Sequence, residues 1–114
     1  DFIFRKNQRK PAFLHFRNGK LKCVPLLKNN TIKPKKLFAQ IIYFEPHKVL
    51  ESHFHSFKGE ELGVVLKGEI EVDIANKKHT LKEGDSIYLD FVLPRRWRNT
   101  GETETQVMWV AANH

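Results

Sequence analysis

The sequence predicts an all-β domain, a sandwich or a small barrel. Three observations carry that prediction. Short runs rich in branched and aromatic residues recur along the chain, separated by Gly, Pro and Asn turn signals. Residues 69–74, EIEVDI, alternate strictly between acidic and aliphatic side chains, the period of a half-buried strand. No window sustains the 3.6-residue period of a helix.

The elements follow in order. PAFLHFR (11–17), Asn18-Gly19 and KLKCVPLL (20–27) read as a hairpin, because Asn-Gly suits a tight turn with positive φ. The polar stretch 28–36 reads as a loop, and KLFAQIIYF (36–44) as a buried strand that Glu45-Pro46-His47 terminates. Residues 47–60 read as a loop carrying His53 and His55. Residues 62–81 read as short strands with turns at Lys67-Gly68 and Asn76-Lys77. Within them Ile70, Val72 and Ile74 face one side and Glu69, Glu71 and Asp73 the other. Glu83-Gly84-Asp85 is a further turn, SIYLDF (86–91) a strand, and TQVMWVAA (105–112) closes the set.

With 114 residues, 40% of them hydrophobic and 11% aromatic, the chain suits one folded domain over 1–114. No apolar stretch approaches the ~20 residues of a membrane span, and residues 1–10 lack the pattern of a signal peptide. The lone Cys23 has no internal partner, which fits a reducing cytoplasm. The chain starts at Asp1, so a fragment of a longer protein is the expectation.

The net charge of +7 is uneven. Residues 1–40 hold eleven Lys/Arg against one acid, whereas residues 41–114 hold nine against twelve. A basic half can attract phosphates or other anions. Because these cations are interspersed with apolar residues rather than blocked together, the reading adopted for them is a solvated face.

The chemistry concentrates in two segments, HFHSFKGEELGVVLKG (53–68) and GDSIYLDFVLPRRWRN (84–99). In an extended segment residues i and i+2 face one side, so His53 and His55 would project together and Phe54 away. Glu61, entering from the next strand, would add a carboxylate. Two imidazoles and a carboxylate suit iron, manganese, nickel or zinc. Alternation over 95–99 places Arg95, Trp97 and Asn99 on one face, so an inward Trp97 would bring Arg95 inward with it. Tyr43 and Phe91 are candidates to line the mouth, with core packing as the competing assignment; Met108 and Trp109 read as core or interface. His15, His47, His79 and His114 show no partner pattern. No residue is assigned a catalytic role, since nothing ties a base to Cys23, and no helix-turn-helix, phosphate loop or zinc-finger spacing is present.

His53-x-His55, Glu61, Gly68, Gly84-Asp85, Pro94 and Asn99 fall in order within 47 residues, and this series resembles the paired motifs of the cupin family. Residues 59–72, 79–99 and 106–110 resemble most the cupin sensor domain fused behind a helix-turn-helix in repressor-like (XRE-type) bacterial transcription regulators. That resemblance implies a double-stranded β-helix, the jelly-roll barrel. It implies a small-molecule effector in the barrel, a homodimer, and contact with DNA only through a separate helix-turn-helix domain. The alternative it offers is a small metal-dependent enzyme, a dioxygenase or an isomerase. The chain departs from the family in two places. Five residues separate His55 from Glu61, and Arg95 stands where the family carries its last His ligand. A guanidinium has no lone pair for a cation. Arg95 is left with three roles: an ion pair with Glu61, a bidentate grip on an anionic effector, or an outward position that leaves His53, His55 and Glu61 to a divalent metal. The expected ligand-contacting set is Arg95, Trp97, Glu61 and Tyr43, and the expected metal set is His53, His55 and Glu61.

Overall fold

The structure, a computed structural model, describes residues 2–17, 19–29, 31–55 and 59–113. Ten strands follow one 3-10 turn at Lys6–Gln8: β1 (Ala12–Phe16), β2 (Gly19–Pro25), β3 (Leu37–Phe44), β4 (Val49–Leu50), β5 (Gly59–Lys67), β6 (Ile70–Ile74), β7 (Lys77–Leu81), β8 (Ser86–Asp90), β9 (Arg96–Arg98) and β10 (Thr105–Asn113). They form a six-stranded sheet in the order β1-β2-β3-β10-β5-β8 and a four-stranded sheet in the order β4-β9-β6-β7. The pairings are antiparallel. No helix among the described residues is long and apolar enough to cross a membrane.

The core lies between the two sheets. Ile42, Phe44, Val65, Leu89, Val107 and Trp109 enter it from the larger sheet, and Leu50, Ile70, Val72 and Trp97 from the smaller. The alternation over 69–74 behaves as expected: Ile70 and Val72 are fully buried and Ile74 packs against the same cluster. At Gly63 a Cβ would run into the Trp109 ring, so the missing side chain is what lets that indole approach β5 so closely.

Several boundaries move. The loop expected over 47–60 contains β4 and the start of β5. The turn between β6 and β7 is Ala75-Asn76, both left-handed with φ of 52° and 62°, one residue earlier than Asn76-Lys77. The strand expected to reach residue 91 ends at Asp90, because Phe91 adopts φ of 66° and breaks the ladder. Gly19 pairs with Phe16 as the hairpin requires. Its expected turn partner Asn18, like His114 and the 56–58 portion of the histidine loop, lies outside the described residues.

Candidate functional site

The site is organised by β5, β9 and β10 together with the irregular segment 51–55. Glu61 points inward from β5, between Leu89 on β8 and Ala111 on β10, and is 3% exposed. His53 Nε2 lies 2.8 Å from Glu61 Oε1, with both side chains only 2% exposed. The Trp109 indole donates to the same oxygen at 2.9 Å. From the other side the Trp97 indole donates to His53 Nδ1 at 3.2 Å. An indole nitrogen is a donor only. Nδ1 therefore presents its lone pair, the hydrogen of the neutral ring sits on Nε2, and Nε2–H donates to the carboxylate. A continuous relay results: Trp97 to His53 to Glu61, with Trp109 closing on Glu61.

Electrostatics agree with a neutral ring. Burial pushes the His53 pKa below the ordinary imidazole value, against the pull of Glu61, and burial likewise lowers that of His55. A second proton on His53 would also have to sit at Nδ1, head to head with the Trp97 N–H. The Phe54 ring packs against the relay. Phe54 lies 4.5 Å from His53, 5.3 Å from Trp97 and 4.8 Å from Trp109 between ring centroids.

Five expectations about this group need correction. Phe54 was to turn away from His53 and His55, yet it is in the core beside His53; the two imidazoles do line one cleft, with His55 also against Phe38. Residues 51–55 are bends rather than a paired strand, so the period-two rule had no ladder to act on. Arg95 was tied to the orientation of Trp97, yet Trp97 is fully buried and Arg95 is exposed. β9 begins only at Arg96; Arg95 sits in a bend after Pro94, held through its backbone N–H to Asp73 O at 2.7 Å. An ion pair of Arg95 with Glu61 is therefore not formed. Tyr43 lies on the outer face of β3, between the buried Ile42 and Phe44, with the Lys22 ammonium 4.7 Å above its ring. It does not line the barrel interior. Trp97 contributes an indole N–H to His53 rather than a wall for a ligand.

As arranged, His53 and Glu61 Oε1 are engaged with each other and with the two indoles rather than open to a divalent cation. Both nitrogens of His53 are committed, one as acceptor and one as donor, and Glu61 Oε1 already receives two N–H groups. Among the described residues no three His, Cys, Asp or Glu side chains are placed to share an ion.

What remains open is the mouth above the relay. A cleft of ≈ 680 Å³ is lined by His53, His55, Val92, Leu93, Pro94 and Arg95, together with Glu51, Ser52 and the β6–β7 turn. Glu51 is engaged by Arg96 at 3.0 Å. Arg95 makes no ion pair among the described residues. Val92 and Leu93 are each more than half exposed.

Two residues carry more than the sequence suggested. Trp109, read only as packing, is a hydrogen-bond donor to Glu61. Asn99 anchors the far end of β9. It is 1% exposed, its amide donates to Phe44 O, Glu45 O and Thr103 O, and its oxygen accepts from Gly101 N–H. The sequence placed Asn99 on one face with Trp97; its burial and its partners come from the structure. His47, which showed no partner pattern in the sequence, pairs with Glu102 at 3.0 Å on the exterior.

Comparison with known proteins gives a consistent picture. Residues 40–111 match the family described as the cupin domain (Cupin_2). Protein SchB of Streptomyces halstedii is 28% identical over 72 residues, 63% of this chain and 51% of SchB, so the chain spans about half the length of that curated relative. A predicted oxalate decarboxylase from Thermotoga maritima superimposes with a TM-score of 0.77 at 22% identity, covering 98% of this chain and 99% of the other. The cupin domain of an XRE family transcriptional regulator from Enterobacter cloacae superimposes with a TM-score of 0.68 at 22% identity, covering 82% and 97%.

Proposed function

The chain belongs to the cupin family, and from that premise we propose that it is a metal-independent binding domain whose barrel mouth takes a small organic anion, as the effector-sensing part of a bacterial transcription regulator. One observation carries the reading. The Trp97–His53–Glu61–Trp109 relay engages both nitrogens of His53 and one oxygen of Glu61, atoms on which a metal held there would draw. The rim then offers what an organic acid needs. The Arg95 fork suits a carboxylate or phosphate, and Val92, Leu93 and Pro94 give an apolar wall for the rest of the molecule. The likeness to the cupin domain of the Enterobacter cloacae regulator agrees with a sensing role.

A sensor of this kind works through a dimer, and the outer face of the larger sheet suits a second copy. Ile41, Met108 and Val64 stand in one cross-strand row, and Ala39, Val110, Leu62 and Tyr88 in the next. Lys20 and Lys22 flank this face on β2, and Glu60 and Asp90 flank it on β5 and β8. A two-fold axis along the strands through β10 would lay the basic side of one copy on the acidic side of the other. Ligand binding at the mouth would then shift the balance between two arrangements of the attached DNA-binding domains.

The enzyme reading draws on the likeness to the predicted decarboxylase and on the contact between His53 and Glu61. One experiment separates the two. Benzoate and hexanoate are titrated against the protein while tryptophan fluorescence is recorded, before and after chelator treatment, with metal content measured in parallel. The sensing reading expects sub-stoichiometric metal, and a saturable response that survives the chelator and disappears in Arg95→Gln. One equivalent of metal, with a response lost on chelation, would overturn it in favour of the enzyme.

A further inference from the structure

We infer that the N-terminal segment and the connection between β2 and β3 form a second binding site, for a phosphate-bearing small molecule, apart from the barrel mouth. These two segments enclose a cleft of ≈ 540 Å³. Its polar lining is Gln8, Arg9, Lys10, Lys28, Asn29 and Thr31, with Ile3 and Pro25 beside them. Three cations thus converge on one concavity. No acid is among the described lining residues, and none occurs anywhere from residue 2 to residue 44.

Both walls are held in place. On one side Asn29 Oδ1 accepts the backbone N–H groups of Thr31 and Ile32 at 2.9 and 2.6 Å, which turns the connection back on itself. On the other, the backbone N–H of Arg9 donates to Lys6 O at 3.2 Å and closes the 3-10 turn. The Arg9 side chain carries the second, independent sign. Its Nε is buried and has no hydrogen-bond partner among the described residues. A buried guanidinium donor without an acceptor is costly, and so is the mutual repulsion of three like charges. A multivalent anion relieves both.

The chemistry favours phosphate. A guanidinium fork matches two phosphate oxygens, and two ammonium groups complement the remaining charge. The volume falls in the range of small-molecule sites. A nucleic acid would instead call for cations spread along an extended track, one phosphate after another. The solvated face expected for the basic half of the sequence holds for its lysines, Lys10 and Lys28 included, and Arg9 departs from it by its buried Nε.

The test is calorimetric titration of the full chain with pyrophosphate at low ionic strength, beside Arg9→Gln, Lys28→Gln and Lys82→Gln, with melting temperatures recorded for each. Lys28 and Lys82 are exposed, and Lys82 lies outside the cleft, so it reports the effect of removing one positive charge elsewhere. The expected result is one-to-one binding that Arg9→Gln and Lys28→Gln each weaken about tenfold or more, and that Lys82→Gln leaves close to wild type. No saturable binding, or an equal loss in Lys82→Gln, would overturn the site. Arg9-dependent binding of a short DNA duplex without binding of pyrophosphate would overturn the ligand class. None of these outcomes bears on the organic-acid response at the mouth, so the two proposals stand or fall separately.

Discussion

The Trp97 indole N–H meets Nδ1 of His53 at 3.2 Å, and this contact decides which nitrogen of the imidazole carries its hydrogen. Because the indole only donates, Nε2 is the protonated nitrogen, and it is the one that faces Glu61 at 2.8 Å. The position that the family pattern marks for a metal ligand is thereby a link in a hydrogen-bonded chain. Its consequences are measurable.

Nitrogen NMR of the wild-type protein at neutral pH should find His53 with Nδ1 unprotonated and Nε2 protonated. In Trp97→Phe the constraint on the tautomer is removed, and a cavity replaces part of a fully buried ring. The variant should lose about 2–4 kcal/mol of stability in denaturant unfolding. A wild-type ring protonated at Nδ1 would refute the relay.

Stability should fall in mild acid. The pKa values of His53 and His55 lie below the ordinary imidazole value because burial disfavours the charged ring. Above about 6.5 the imidazoles are neutral in both folded and unfolded chains, and they impose no pH slope. Below that, the unfolded chain takes up protons that the buried rings refuse, so the unfolded state gains ground until the folded pKa values are reached. The loss is at most about 1.4 kcal/mol per pH unit for each ring. Urea titrations across this window should give a shallower slope for His53→Gln than for wild type.

Gly63→Ala tests the support beneath Glu61. The added methyl would collide with the Trp109 ring, which is fully buried and holds Glu61 Oε1. A cost of about 1–3 kcal/mol is expected from overpacking, together with a changed Trp109 fluorescence. An unchanged melting temperature and spectrum would mean that the indole has room to move.

Met108→Lys tests the outer sheet face. Met108 stands opposite both Ile41 and Val64 at the centre of the apolar rows. A wild-type dimer in sedimentation velocity should become a folded monomer in the variant. A wild-type protein that is monomeric at high concentration would remove the dimer from the sensing reading.

The strand pattern was legible because alternation and turn residues are local properties. Ile70 and Val72 face the core as the period-two pattern requires, and the order of turns along the chain survives with shifts of a residue or so. The family was legible from spaced motifs, and the pairing of His53 with Glu61 was half legible, since both were singled out for one cavity. The rule failed where the backbone left the ladder. Residues 51–55 bend, so Phe54 enters the core; Pro94 and Arg95 lie outside β9, so Arg95 parts company with Trp97. Tyr43 could have been placed from the parity of its own strand, because Ile42 and Phe44 on either side are the better core residues.

Composition and periodicity alone were enough to specify an all-β sandwich or small barrel, and spaced motifs marked His53 and Glu61, because these signals act over a few neighbouring positions or along the chain. Which lone pairs are spent inside that site depends on groups far apart in the chain. Trp97, His53, Glu61 and Trp109 meet only when β5, β9 and β10 close around one interior. His53, a candidate ligand in the sequence, has its two nitrogens held there by one indole and one carboxylate, and a second indole holds that carboxylate in turn.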